Sequence, residues 1–221
     1  MSQTKGSSRR YPSIDLLSVS GRALIGCGNE SNCRKLAVQL TLDPAVRSLS
    51  FVPALPLAGE QIEVGMLVAE HENGFVAYDI VDERVDRDID TEGMLLIALD
   101  QHDITLRAVD TFSICAQPLA HRCERIWEHR GLEIAPHLGS RIKRALERDC
   151  LSIRELGHAV GKRNIIPIVS NLICKRILCT DLAIFPDLDA WVARRSDRLV
   201  ENSSLSCRTA KSSSSKLGAP K

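Results

Sequence analysis

The chain has 221 residues, of which 44% are hydrophobic and 26% are charged, a composition typical of a soluble globular protein with one sizeable domain or two small ones. It excludes collagen-like, coiled-coil and wholly disordered proteins. The longest purely apolar run, Met94–Leu99, has six residues, whereas a membrane span needs about 20. We therefore predict no membrane partner, no signal peptide and a cytoplasmic location.

Charge is distributed unevenly along the chain. Residues 51–110 hold 3 Lys or Arg against 14 Asp or Glu, and residues 140–200 hold 12 against 7. The middle segment thus has a net charge of −11 and the carboxyl-terminal segment one of +5. An acidic segment repels a phosphate backbone, so the sequence predicts that each segment has a different kind of partner.

Eight cysteines are scattered along the chain, and no CxxC pair occurs among them. The cluster Cys115, His121, Cys123 and His129 matches none of the paired-ligand spacings of zinc sites. We therefore predict reduced thiols and no bound metal.

Residues 1–22 are rich in Ser and basic, which predicts a flexible amino terminus. The first domain is predicted over 23–135. Its apolar pattern indicates a helix from Ser31 that ends before Asp43, because Pro44 follows. An edge strand over 46–57, interrupted by Pro53 and Pro56, comes next.

The clearest local signal in this domain is a β-hairpin. Two apolar runs, Ile62–Ala69 and Phe75–Val81, flank a turn attributed to Asn73-Gly74. A helix capped by Asp90 or Thr91, a strand over Ile104–Val109 and a covering helix over Gln117–His129 are predicted after it. The predicted fold class is therefore α/β, a small mixed sheet flanked by helices.

A second domain is predicted over 136–200, followed by a disordered tail over 201–221. It contains three predicted helices and a terminal hairpin, an order typical of a winged helix-turn-helix. The helices are Ser140–Arg148, a second from the capping box of Ser152 and Glu155 to Gly161, and a third capped by Asn164. The hairpin strands are predicted over Leu182–Phe185 and Ala190–Val192.

The order of these elements, together with the phrases LDPAVRSLSFVPALPL and RIWEHR, resembles the TnsA-like transposon endonucleases over about residues 30–195. The resemblance implies a restriction-endonuclease-like fold followed by a winged helix. It also implies that the helical catalytic Glu falls near Arg34, the hairpin Asp on Gly65, and the closing acid and Lys on Asp79 and Val81.

Only Asp79 among these positions could still hold a metal. Nuclease chemistry of this kind needs two or more carboxylates for Mg²⁺ and usually a Lys. Neighbouring acids could in principle replace the missing ligands: Glu63, Asp82, Glu83, Asp86 and Asp88. We expect no catalytic residue and no cofactor, and we favour a protein that is not an enzyme. Mg²⁺ would be needed only if those acids act as its ligands.

The function expected from the resemblance is a non-catalytic accessory protein, whose degenerate nuclease fold is a scaffold and whose winged helix binds DNA or a transposition protein. Two alternatives stay open: an active metal-dependent endonuclease of a mobile element, and a winged-helix transcription regulator with an acidic amino-terminal domain. A homodimer also stays open. The residues predicted to bind DNA or the partner are Arg163, Lys175, Arg176, Arg194 and Arg195. Ser170 and Asn171 are predicted as further surface residues of the third helix.

Overall fold

The computed structural model describes residues 30–82, 84, 86–147 and 149–195 of the chain. The predicted flexible amino terminus, 1–22, and the predicted tail, 201–221, lie outside the described residues. The chain divides between Glu128 and His129 into two compact units, and each unit contains its own sheet.

The first unit is a four-stranded mixed sheet with helices before, between and after its strands. In chain order it contains α1 (Glu30–Leu42), β1 (Ser48–Leu57), β2 (Glu60–His71), β3 (Gly74–Ile80), α2 (Ile89–Gln101), β4 (Ile104–Val109), α3 (Thr111–Cys115) and α4 (Leu119–Trp127). The sheet order is β1-β2-β3-β4. The first two pairs are antiparallel and β3–β4 is parallel, with α2 as the crossover that a parallel pair requires. The predicted α/β class with a small mixed sheet flanked by helices is confirmed.

Both faces of this sheet are buried, because side chains alternate along each strand. Leu67 and Ala69 of β2 pack towards α1, in a core that also includes Leu36 and Leu40. Met66, Val68 and their neighbours pack against α2 on the other face, in a core that includes Leu95, Ala98 and Leu99. Complete burial of one such leucine contributes roughly 2 kcal/mol, so α2 is fixed on the sheet.

Two hairpins build the antiparallel part of the sheet. The predicted β2–β3 hairpin is confirmed, but its loop residues are Glu72 and Asn73, since His71 pairs with Gly74. The glycine is required at Gly74 itself, where φ is 128°. The β1–β2 hairpin was not predicted. Its turn is made by Ala58 and Gly59, both with positive φ, and an alanine is not typical of that conformation.

The start of α2 differs from its prediction. The N-cap is Asp88, whose carboxylate accepts a hydrogen bond from the Thr91 N–H at 2.7 Å. Asp90 and Thr91 therefore lie inside the helix and do not cap it. Three acids at alternate positions, 86, 88 and 90, made the sequence signal ambiguous, because each could serve as a cap.

The second unit combines three helices with a three-stranded sheet. In chain order it contains α5 (Pro136–Ala145), β5 (Leu151–Ser152), α6 (Ile153–Val160), α7 (Ile166–Cys174), β6 (Leu178–Thr180) and β7 (Trp191–Arg194). The sheet order is β5-β7-β6, with both pairs antiparallel. The capping box of Ser152 and Glu155 is present, and Gly161 ends α6 in the left-handed conformation with φ 64°, as predicted.

Two helix boundaries and one strand in this unit were predicted wrongly. α5 begins at Pro136 and ends at Ala145, earlier than the predicted 140–148. The residue at the N-cap of α7 is Ile165 and not Asn164. The predicted strand Leu182–Phe185 is a turn, because the carboxylate of Asp181 accepts the Ala183 N–H and its carbonyl accepts the Ile184 and Phe185 N–H groups.

Candidate functional site

Asp79 is buried near the end of β3, with its side chain 5% exposed. Its Oδ2 lies 3.1 Å from Nη1 of Arg84 and 3.8 Å from Nη1 of Arg87. Both arginines follow β3 in the segment that leads into α2. A buried carboxylate requires a positive partner, and the two guanidinium groups supply it.

Glu92, in the first turn of α2, completes this network. Its Oε1 lies 3.5 Å from Nη1 of Arg84, and its Oε2 lies 3.4 Å from Nη1 of Arg87. Two cations thus bridge two carboxylates. A divalent cation beside Asp79 would stand within a few ångströms of both guanidinium groups, so the network opposes metal binding.

Gly65, the position assigned to the hairpin acid, is a backbone irregularity of β2. Val52 pairs with Met66 and Ala54 with Glu63, so Pro53 opposes two residues, Val64 and Gly65. This is a β-bulge, and Gly65 has φ 59°, as the glycine of such a bulge does. Proline lacks an N–H, which fits its place at the interrupted ladder.

The remaining two catalytic positions also lack the required chemistry. Arg34 is exposed on α1 and is a cation where the resemblance implies a carboxylate. Val81 follows β3, and its N–H donates to the carbonyl of Val109 at 3.1 Å. Asp79 is therefore the one acid among the four positions.

Of the neighbouring acids proposed as substitutes, two accept hydrogen bonds from the backbone and two others are exposed. Asp82 Oδ2 accepts the Thr111 N–H at 2.7 Å, and Asp88 caps α2. The hydrogen bonds from the Thr91 backbone lower the pKa of Asp88. Asp86 and Glu63 are exposed, and Glu83 lies outside the described residues. Within the part of the chain that the structure describes, no group of three or more His, Cys, Asp or Glu is arranged to hold a metal ion.

Cys115 and Cys123, two members of the cluster considered for zinc, lie in the first unit. The Sγ of Cys115 accepts from Nζ of Lys35 at 3.6 Å and donates to Oδ1 of Asn32 at 3.8 Å. Burial raises the pKa of Cys123 to about 11 and that of Cys174 to about 12.

The oxidation state of the cysteines was predicted correctly at four positions. Free thiols are found at Cys115, Cys123, Cys174 and Cys179. Cys33 belongs to a disulfide, and so does Cys150, so the prediction of reduced thiols is wrong at each of these positions.

In the second unit, four of the five predicted binding residues come together. Lys175 and Arg176 directly follow α7, and Leu178 pairs with Arg194 across β6 and β7. The Arg195 N–H donates to the carbonyl of Ile177 at 3.0 Å. Hydrogen bonding between the strands therefore brings 175–176 beside 194–195. Lys175 and Arg194 are exposed, and Arg176 and Arg195 are half-buried.

The fifth predicted residue, Arg163, is exposed beyond the opposite end of α7. A basic residue that the sequence reasoning missed lies there too. Nη2 of Arg141 stands 3.9 Å from the point where a Cβ on Gly161 would lie. Arg141 and Lys162 are exposed, so the turn between α6 and α7 has its own basic surface. The sequence feature that could have pointed to Arg141 is the run Arg141-Ile142-Lys143-Arg144 on α5, in which cations flank a buried isoleucine.

Ser170 and Asn171 were predicted as surface residues, and this is wrong. Both are buried, at 1% and 0% exposure, within a stretch of α7 that is buried from Val169 to Cys174. Asn171 Nδ2 donates to the carbonyl oxygens of His129 and Arg130, each at 2.9 Å. The amide nitrogen satisfies two backbone acceptors, which is a structural role.

Comparisons with protein-family models and with curated proteins find no match for this chain. Among the described helices, none combines the length and the apolar character that a bilayer span requires.

Proposed function

We propose that this protein is a non-catalytic, TnsA-like accessory protein. Its first unit is a degenerate nuclease-fold scaffold, and its second unit is a winged helix that binds DNA or a transposition partner. The chain order α1-β1-β2-β3-α2-β4 supports this proposal because the resemblance rests on this order of elements, a helix and a strand followed by a hairpin.

The observation that carries the proposal is the engagement of Asp79. The carboxylate that would hold a catalytic metal is paired with Arg84 and Arg87. Glycine and valine occupy the positions of the second acid and the lysine. Among the described residues, the positions that the resemblance assigns to catalysis hold one carboxylate, paired with arginines, and no lysine, so they lack the groups that hydrolyse a phosphodiester through a metal.

The order α5-β5-α6-α7-β6-β7 supports a winged helix for the second unit. Burial of α7 from Val169 to Cys174 argues against a helix that reads base edges, since a reading helix presents a polar face to the groove. The exposed cations at Lys175 and Arg194 instead favour contacts to phosphates or to an acidic protein surface. Binding is therefore expected to be electrostatic and weakly selective for DNA sequence.

A gel-shift titration over a salt series tests this function. The wild-type protein should shift a short duplex at about 50 mM salt, and the shift should disappear as the salt concentration rises. Each phosphate contact contributes about 0.9 to the slope of log affinity against log salt, so Lys175→Gln with Arg194→Gln should flatten the slope by up to about two units. The charge-matched control is Lys143→Gln with Arg144→Gln on α5, which should change it less.

Two results decide between the two partners. A salt-dependent shift that the Lys175 and Arg194 variant weakens supports DNA binding. The absence of any shift at micromolar protein overturns DNA binding and leaves the protein partner, which the same variant then tests with an acidic polypeptide in place of the duplex.

A further inference from the structure

Helix α2 has a second apolar face that the sheet does not cover. Leu95, Ala98 and Leu99 are buried against the sheet. On the other side, Ile89 is 90% exposed and Leu96 47%. Exposing large aliphatic side chains to water is unfavourable, so contact with a partner that buries them would lower the free energy.

Part of this face lines an open depression of about 450 Å³. Ile89, Gly93 and Leu96 lie on one side of it, at the spacing that places residues on one face of a helix. Arg84 and Arg87 also line it. A Cβ added at Gly93 would meet nothing within 4 Å, so the helix backbone there is open to the close approach of another helix.

The rim of this depression is negatively charged. Asp86 and Asp88 line it and are exposed. The two arginines at the depression are paired with Asp79 and Glu92. Hydrogen bonds from the Thr91 backbone lower the pKa of Asp88, so its charge persists in mildly acidic solution.

This charge decides which occupant fits. A nucleic acid would bring phosphates against the carboxylates of Asp86 and Asp88, which is unfavourable. A second copy related by two-fold symmetry would bring two acidic rims into one interface, since both copies present the same patch. A protein segment with basic side chains around apolar ones complements both the depression and its rim.

We propose that the α2 surface, formed by Ile89, Gly93 and Leu96 with the rim of Asp86 and Asp88, docks an amphipathic helix of a protein partner. That helix presents Leu, Ile or Val to the depression and Lys or Arg to the rim, in the manner of helix-in-groove recognition. The inference goes beyond the proposed function, because it gives the first unit a binding role of its own that is independent of the second unit.

Fluorescence anisotropy with a synthetic helical peptide tests the proposal on the full chain. The probe is a labelled peptide of about 15–20 residues with Leu on one face and Lys on the other, and its counterpart carries Glu in place of Lys. The wild-type protein should bind the Lys peptide and not the Glu peptide. Leu96→Asp should weaken binding about tenfold or more.

The matched control is Ile97→Asp, because Ile97 neighbours Leu96 on α2 and has similar exposure but does not line the depression. It should leave the peptide affinity unchanged, and circular dichroism melting should show both variants folded. Equal weakening by both substitutions, or no binding of the Lys peptide, would overturn the proposal. So would sedimentation showing a wild-type dimer that Leu96→Asp dissociates, since the surface would then belong to a second copy.

Discussion

Asp79 Oδ2 and Arg84 Nη1 lie 3.1 Å apart, and they join the end of the third strand to the segment that follows it. The carboxylate is buried, whereas the arginine side chain is 40% exposed. This pair satisfies the charge of Asp79 from within the chain, over a separation of five residues. The carboxylate that could otherwise hold a metal is therefore paired with an arginine of the same chain.

The two arginines should stabilise the first unit through Asp79. In the double variant Arg84→Met with Arg87→Met, the buried carboxylate loses both partners. We expect the free energy of unfolding to fall by about 1–3 kcal/mol, at the lower end of the range for buried pairs because Arg84 is partly exposed. Urea unfolding measures it.

Glu92→Gln is the control for this prediction. Glu92 is 31% exposed, so its loss should change the free energy of unfolding by about 0.5 kcal/mol or less. An Arg84 and Arg87 variant as stable as the wild type would show that Asp79 does not depend on these cations.

Alanine at Gly65 should lower the stability of the protein, and alanine at Gly93 should raise it. Neither has an atom within 4 Å of an added Cβ, so steric space does not distinguish them. Gly65 has φ 59° in the bulge, where an L side chain costs about 1–2 kcal/mol. Gly93 lies within a helix, where alanine gains about 0.5–1 kcal/mol. Thermal melting should show a lower Tm for Gly65→Ala and a higher one for Gly93→Ala; the same sign for both would contradict the assigned backbone conformations.

Asn171 should matter for folding. Asn171→Leu removes the side-chain donor, so the carbonyls of His129 and Arg130 each lose this hydrogen bond. We expect a loss of about 1–3 kcal/mol in the free energy of unfolding. Exposed Lys175→Gln serves as the comparison and should be nearly neutral. If Asn171→Leu were as stable as the wild type but bound DNA less, Asn171 would be a contact residue after all.

Local signals in the sequence predicted the elements whose ends have a chemical marker. Ser152 and Glu155 form the capping box that was expected, and Gly161 ends the same helix, because capping depends on side chains a few residues apart. The β2–β3 hairpin was predicted for the same reason. The Ala58-Gly59 turn was missed because alanine seldom takes positive φ, and here the strand pairing on both sides imposes it.

Positions decided by tertiary contacts were not predictable. Asn171 was taken for a surface residue because it is polar within a helix, and only the backbone carbonyls of a distant segment explain its burial. The pairing of Asp79 with Arg84 and Arg87 likewise depends on the path of the chain after β3. The position of Arg141 beside Gly161 depends on how α5 packs against α6, which a helical pattern alone does not specify.

The buried thiols should make stability fall in alkaline solution. Burial raises the pKa of Cys174 to about 12 from a usual 9.0. Between these values the unfolded chain releases the proton while the folded one keeps it, so unfolding is favoured as pH rises and the effect is absent below pH 8. The difference in unfolding free energy between the wild type and Cys174→Ala should therefore shrink from pH 8 to pH 10. A difference that is constant with pH would contradict the burial of this thiol.

Cleavage of supercoiled plasmid in Mg²⁺ or Mn²⁺ tests the non-catalytic assignment most directly. Wild-type protein and Asp79→Ala are incubated with the plasmid over a time course, and nicked and linear forms are quantified on a gel, with chelator as the blank. We predict that both proteins leave the plasmid at the level of the blank, because Asp79 is paired with two arginines and its partner positions hold Gly65 and Val81. Metal-dependent nicking by the wild type that Asp79→Ala abolishes would contradict this account and assign an active nuclease.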